Sequence, residues 1–409
     1  MANTFKFGNG NWAVKDGYAL AYNDENNNFK PLPFDFTRAS SATRVNKQGL
    51  VEVVPSGKPR IDFLDNTSGH LLLEPSRTNL VTDSEDFSDS SYYKNNATIT
   101  TDDTTSPDGN VTADKITSTG TTPYARETIT HSTNTSYSVS IFAKKGNEDF
   151  LYIRALALSN QPTASFNLST GVLGTVNSGL TAEIISLNND WYRCIIKYTT
   201  SSSVPNNLID FGIASSDNSR TSSSGKFVYF WGTQFEAGSY PTSYIPTEGS
   251  SVTRVAEAAN GAGNSTVFND SEGVLFFETA TLANDSTFRN ICISDSSTSD
   301  KIQFYYYGSN NNIAYVIVSA SSTQASDNTK TLSNALEFNK IAIKYKQNDF
   351  ALWVNGTEVA TDSSGSTPIG LKEIAFDDGN GGSPFYGKVK NLRVYNTALT
   401  DTELQNLTS

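Results

Sequence analysis

The sequence predicts an all-β protein made of tandem antiparallel β-sandwiches behind a small N-terminal module. Three observations carry that expectation. Runs of alternating apolar and polar residues recur about 8–12 residues apart with turn residues between them, the spacing of sandwich strands. Aromatic residues reach 11% although only 37% of residues are hydrophobic, which suits thin cores built on a few large rings. The chain has 409 residues, more than one hydrophobic core usually serves, so two or three domains are expected.

Residues 1–80 read as an extended N-terminal attachment module. Trp12, Val14, Tyr18 and Leu20 suit short strands, and Phe34–Arg38 and Arg60–Phe63 are brief alternating runs. Leu71-Leu-Leu73 is stopped by Glu74-Pro75, because proline cannot donate to a ladder. So little apolar content makes a weak independent core, which suggests completion by neighbouring copies or by a larger particle, or equally a lid strapped onto the following domain.

Residues 81–248 read as a jelly-roll sandwich. Its candidate strands include Tyr137–Ala143, Phe150–Leu156, Ala164–Leu168, Ala182–Leu187, Trp191–Thr199, Leu208–Ala214 and Lys226–Phe235. Ser169-Thr-Gly171, Asn188-Asn-Asp190 and Ser222–Gly225 supply turns between them. Residues 249–267, rich in Gly, Ala and Asn, read as a flexible linker.

Residues 268–409 read as a second sandwich. Strands are expected at Gly273–Glu278, Lys301–Tyr307, Ala314–Val318 and Asn339–Tyr345. Phe350–Val354 and Thr357–Val359 flank Asn355-Gly356, whose positive φ angles suit a type I′ hairpin turn. Thr400-Asp-Thr-Glu403 is a capping box opening a short helix, Asp401 to Leu407.

The formal net charge is −12, and Lys144-Lys145 is the densest basic pair before the C-terminus. A phosphate-tracking surface needs clustered Lys and Arg, so nucleic acid is not an expected partner. Cys194 and Cys292 lie in strand-like runs of different domains, which predicts buried free thiols. Met1–Phe7 has no apolar leader, and no run reaches the ~18 apolar residues of a membrane helix. Synthesis and assembly in a cytoplasm are expected.

Three motifs carry a resemblance. They are Phe34-Asp-Phe-Thr-Arg-Ala-Ser-Ser-Ala-Thr-Arg44, Leu71-Leu-Leu-Glu-Pro-Ser-Arg-Thr-Asn-Leu80, and Trp231-Gly-Thr-Gln-Phe-Glu-Ala-Gly-Ser-Tyr-Pro-Thr-Ser-Tyr-Ile-Pro-Thr247. In this order they resemble a common family of bacteriophage virion proteins, in which the last motif closes a carbohydrate-binding-like jelly roll. In the final third, the Asn355-Gly356 hairpin, Gly387-Lys-Val-Lys-Asn-Leu-Arg-Val-Tyr-Asn396 and Leu399–Leu404 resemble concanavalin A-like, laminin-G-type lectin domains.

Catalysis is not expected. Glycoside hydrolysis needs two carboxylates about 5–9 Å apart, and Glu272 and Glu278 stand isolated among apolar residues. His70 and His131 are far apart in polar contexts and form no readable triad. No cofactor is required. Ca²⁺ is the metal for which the sequence offers hard oxygen ligands, at Asp377-Asp378 in a Gly-rich loop or at Asp102, Asp103 and Asp108; ordinary solvated turns are the plainer reading of both. Sugar contact would use Tyr305, Tyr307, Asp377, Asp378 and Asn380. Tyr305 and Tyr307 share one strand face and Tyr306 the other, so the outward rings serve sugar contact, a subunit interface or plain packing. Trp191, Trp231 and Trp353 are expected as core anchors.

These readings and the resemblance together imply a non-enzymatic virion surface protein: a fibre, decoration or tail appendage that contacts host-surface glycans. It would be held to other virion proteins by the N-terminal module and form a homo-oligomer, with a trimer favoured. The alternatives are a purely architectural virion component and a secreted bacterial carbohydrate-binding or carbohydrate-degrading protein.

Overall fold

The computed structural model describes residues 4–23 and 30–409. Met1–Asn3, the start of the segment read for a leader, lie outside the described residues. The fold is all-β, with one α-helix among the described residues, Asp401–Thr408. Antiparallel pairing runs throughout the named strands, and no described helix is long and apolar enough to cross a membrane.

The chain divides into two units, and not where the sequence suggested. One comprises Met1–Ser41, Val54–Pro75 and Val255–Ser409; the other comprises Ala42–Val53 and Ser76–Arg254. The expected N-terminal module is not a separate body. Phe5–Gly8 pairs with the late strand Gly387–Tyr395, with Phe5 opposite Val394 and Phe7 opposite Leu392. His70–Leu73 pairs with the beginning of that same late strand. Tyr18–Asn23 and Lys30–Thr37 extend the sheet further. The module lacks a core of its own because Phe5, Phe7, Phe34, Leu71 and Leu73 are buried in the core of the C-terminal sandwich.

That sandwich faces a twelve-stranded sheet, counted among the described residues, with a five-stranded one. The five strands run in the order Ser322–Thr331, Asn312–Ser319, Lys301–Tyr307, Arg289–Ser294 and Glu373–Ala375. Alternation sorts the central strand Glu272–Thr281. Leu275 and Phe277 enter the core between the sheets, while Val274 and Phe276 pack behind it with Trp353, Tyr395 and helix residue Leu404. The helix begins at the expected capping box: Thr400 Oγ1 accepts from the Glu403 amide, and the Glu403 carboxylate accepts from the Thr400 amide. Asn355 and Gly356 both take positive φ at the expected hairpin.

The expected linker is folded chain. Val252–Arg254 pairs with Arg77–Asn79, and Ala258–Asn260 pairs with the Lys30–Thr37 strand. Ala259 and Ala262 are fully buried, so the small residues are there to fit a tight space rather than to confer flexibility.

The second unit is a sandwich of two six-stranded sheets. Its main core gathers Val139, Ile141, Leu151, Ile153, Phe166, Cys194, Phe211, Phe230 and Phe235. Trp191 and Trp231 anchor a smaller cluster with Phe142 and Tyr244. Both cysteines are buried free thiols in different units.

The motif residues are used inside these folds. In the first unit, Arg38, Arg60, Glu74 and Glu257 form a buried ionic knot. Glu257 Oε1 accepts from Arg38 Nη1 at 2.7 Å and Arg60 Nε at 2.8 Å. Its Oε2 accepts from the Glu74 amide at 3.0 Å and also from Arg60 Nη2. Arg60 Nη2 reaches Glu74 at 2.8 Å as well. In the second unit, Pro241 and Pro246 leave the exit segment short of backbone donors. Side chains hold it instead. Gln234 accepts from the Ile245 amide at 2.6 Å and donates to the Ser243 carbonyl at 3.2 Å, and Asn79 donates to the Ile245 carbonyl at 2.9 Å.

Candidate functional site

Strand parity builds the site on the outer face of the five-stranded sheet. Ile302, Phe304 and Tyr306 point into the core, so Lys301, Gln303, Tyr305 and Tyr307 point the other way. Tyr306 is tied down by its hydroxyl, 2.9 Å from Thr279 Oγ1. On the next strand Asn290 sits beside Tyr305, and Cys292 beside Gln303. The loop after Glu373–Ala375 folds back over this face. A Cβ on Gly379 would stand 3.2 Å from Cys292 Sγ and 3.0 Å from the Ser297 carbonyl, so the loop lies directly on the sheet.

Between that loop and the aromatic side chains runs a cleft of about 420 Å³, lined by residues including Phe288, Asn290, Gln303, Tyr305, Asp327 and Asp378. One end is aromatic. Phe288 is 50% exposed, with its ring centroid 5.9 Å from Tyr305 and 6.2 Å from Tyr307. The other end is polar and braced. Gln303 Nε2 donates to Asn290 Oδ1 at 2.8 Å, and Asn290 Nδ2 donates to the Ser383 carbonyl at 2.8 Å. Lys301 Nζ donates to the Asp378 carbonyl at 3.1 Å. Burial, and next Tyr307, raise the Tyr305 phenol above its usual pKa, so it stays a neutral donor. Burial also pushes the Cys292 thiol up, which leaves it inert.

The expected sugar-contact residues separate in the structure. Tyr305 and Asp378 line the cleft. Tyr307 borders it through Phe288, and its hydroxyl donates to the Asn328 carbonyl. Asp377 is buried and accepts from the Gly379 amide at 2.7 Å; burial raises its pKa. It shapes the loop and does not line the cleft. Asn380 is exposed on the loop and donates its amide to Asp378 Oδ1 at 3.0 Å. That same oxygen accepts from the Gly382 amide at 2.9 Å. The sequence reading missed Phe288, Asn290 and Gln303. Parity alone could have placed Asn290 and Gln303 on the tyrosine face; nothing local marks Phe288.

The expected metal ligands do not converge. Asp103 pairs with Lys115 at 2.6 Å. Asp108 accepts from the Asn110 amide and side chain, both at 2.9 Å. Asp102 sits at positive φ in an irregular stretch of its strand. Among the described residues, no three of His, Cys, Asp and Glu gather as a metal site. Glu272 and Glu278 pair with Lys346 and Lys390 at 3.1 and 2.9 Å. His70 and His131 belong to different units and are both buried.

Residues 279–405 match the family Laminin_G_3, described as the concanavalin A-like lectin/glucanases superfamily. This stretch is a concanavalin A-like, laminin G-type domain. The match begins within the central strand, so it leaves out the N-terminal strands that complete the sheet. No curated protein matches the chain. Among solved structures, the chain is similar to the Ruminococcus gnavus IT-sialidase CBM40 bound to α2,3-sialyllactose. That likeness has 16% identity and a TM-score of 0.31 over 37% of this chain and 94% of that one. Mouse laminin α1 domains LG4-5 give 12% identity and a TM-score of 0.25 over 69% and 91% of the two chains. Trypanosoma rangeli sialidase in complex with DANA gives 10% and 0.29 over 96% and 66%. These likenesses carry no ligand over to this chain.

Proposed function

We propose that this is a non-enzymatic virion surface protein whose lectin-like domain contacts host-surface glycans through the Phe288–Tyr305–Asp378 cleft. One observation carries the glycan reading: a half-exposed aromatic end joined to a braced amide and carboxylate end. A pyranose has an apolar face for the rings and hydroxyls for Asn290, Gln303 and Asp378. Each hydrogen bond contributes about 0.5–1.5 kcal/mol net, so a single site is weak and multiple copies gain through avidity. The three virion-like motifs support the particle setting and assembly in a host cytoplasm.

Homo-oligomerisation, as a trimer, belongs to the proposal. Phe5, Phe7, Phe34, Leu71 and Leu73 are already covered within the first unit, which leaves exposed Val14 and Tyr18 as the apolar side chains that the N-terminal strands offer to another copy. A second reading, a purely architectural virion component, is favoured by the internal use of the motif residues in the ionic knot and the exit clasp.

The test uses the full chain, clustered on beads and screened on an array of bacterial surface glycans. Phe288→Ala and Tyr305→Ala should each weaken the retained glycan at least tenfold with an unchanged melt. If no glycan is retained, or if both variants bind as the parent does, the architectural reading replaces this one.

A further inference from the structure

The second unit carries a cationic aromatic face that the lectin-like cleft does not involve. It lies on the sheet containing Tyr124–Thr128, Leu208–Ala214 and Phe150–Ala155. Ala125, Ile209, Phe211, Ile213, Leu151 and Ile153 point from these strands into the core. The alternate residues therefore share the opposite face. Register arranges them in two rows across the strands. Tyr93, Arg126, Asp210 and Arg154 are successive partners in one row, and Asn95, Tyr124, Gly212 and Tyr152 in the next.

Each row has a clear physical logic. Asp210 is fully buried and anchors Arg126 with both oxygens: Oδ1 accepts from Nε at 2.6 Å and Oδ2 from Nη2 at 3.1 Å; Arg154 Nη1 stands 3.7 Å from the same Oδ2. The Arg126 guanidinium also lies 4.7 Å from the centre of the Tyr124 ring. A Cβ on Gly212 would come within 2.2 Å of the Tyr152 ring, so glycine lets that tyrosine lie against the sheet. Arg220 is exposed, has no ion-pair partner among the described residues, and acts electrostatically on both Tyr152 and Arg154. Burial first, and then the Arg220 charge, hold Arg154 below the usual arginine pKa. Two arginines thus share one aspartate and a third adds its charge to theirs, in a chain of net charge −12. Tyr93, 57% exposed and 6.4 Å from the Tyr124 ring, edges the patch with aromatic surface.

The geometry points to a second binding face here, for a carboxylate-bearing saccharide of the uronate or sialate class. Arginine forks match a carboxylate, and the rings of Tyr93 and Tyr124 offer the apolar platform that a sugar needs and a bare inorganic anion does not. This face lies in a different unit from the lectin-like cleft, so the two assignments stand or fall separately.

The test is native gel electrophoresis of the full chain through gels containing polygalacturonate, alginate, hyaluronate or polysialate. Methyl-esterified polygalacturonate, dextran sulfate and single-stranded DNA serve as comparison polymers. At least one carboxylated polymer should retard the chain. Arg220→Ala and Tyr93→Ala, both at exposed positions, should each weaken that retardation at least tenfold; a tenfold loss in Tyr305→Ala instead would place the binding in the lectin-like cleft and overturn the assignment. The assignment is overturned if no carboxylated polymer retards the chain, or if retardation survives both substitutions. Equal retardation by dextran sulfate or DNA would show a general anion surface and would also overturn it.

Discussion

Replacing Glu257 by Gln should be among the most damaging single-atom exchanges available in the first unit. Glu257 and the side chains of Arg38 and Arg60 have no exposed surface, and Glu74 is nearly as buried. The native knot balances two guanidinium charges with two carboxylates. Glu257→Gln keeps the shape but leaves two cations facing one anion, and turns an amide donor toward groups that only donate. Removing one partner from a buried pair costs about 3–5 kcal/mol. For a unit of roughly 200 residues, each kcal/mol shifts the melting temperature by about 2–4 °C. A drop of roughly 6–20 °C is therefore expected in the transition of that unit. Calorimetry of the full chain would measure it, with guanidinium titration giving the free energy. A quadruple variant replacing Arg38, Arg60, Glu74 and Glu257 by Met, Met, Leu and Leu should recover part of the loss, because it removes every charge of the knot and strands none. A loss for Glu257→Gln below about 1 kcal/mol, the scale of an exposed ion pair, would refute the reasoning.

Two further perturbations follow from particular contacts. A fragment of residues 266–409 should aggregate or fail to melt cooperatively, because it strips Phe5–Gly8 and His70–Leu73 from the edge of Gly387–Tyr395; a soluble, cooperatively melting fragment would show that the N-terminal strands are dispensable. Glu127 is buried with Oε2 unpartnered, and burial, then Asp83 and Asp89, raise its pKa to about 8. The folded state thus keeps a proton that the unfolded chain releases near pH 4.5, so this group's contribution to stability falls as pH rises from about 4.5 to about 8. Glu127→Gln removes that slope. In chelator, its melting temperature relative to the parent should climb between pH 5 and pH 8, and a constant difference would count against the assignment.

What could be read in advance was whatever a local period encodes. The parity of Tyr305, Tyr306 and Tyr307, the capping box at Thr400 and the Asn355-Gly356 turn are properties of a few adjacent residues. The partner of a strand is not such a property. Nothing in Phe5-Lys-Phe7 states that it pairs near Leu392. The Ala258–Asn264 stretch misled for a related reason: small side chains serve flexible linkers and tight packing alike, and only the neighbours decide between them. Asp377 and Asp378 are adjacent in sequence, yet one is absorbed by its own loop and the other reaches the cleft. Backbone geometry, not residue type, separates them.

The pairing of Phe5–Gly8 with Gly387–Tyr395 also sets an order of events. Synthesis runs at about 5–20 residues per second, so the early strand waits roughly 20–80 s for its neighbour to leave the ribosome. The unit formed largely by Ser76–Arg254 is complete in sequence well before that. The first apolar strands must stay uncommitted, or be shielded, while the later unit closes. A chain broken off before Gly387–Tyr395 would leave that sheet open. Closure of the first unit therefore waits on that one strand: only a chain translated through it can join the early strands to the later ones.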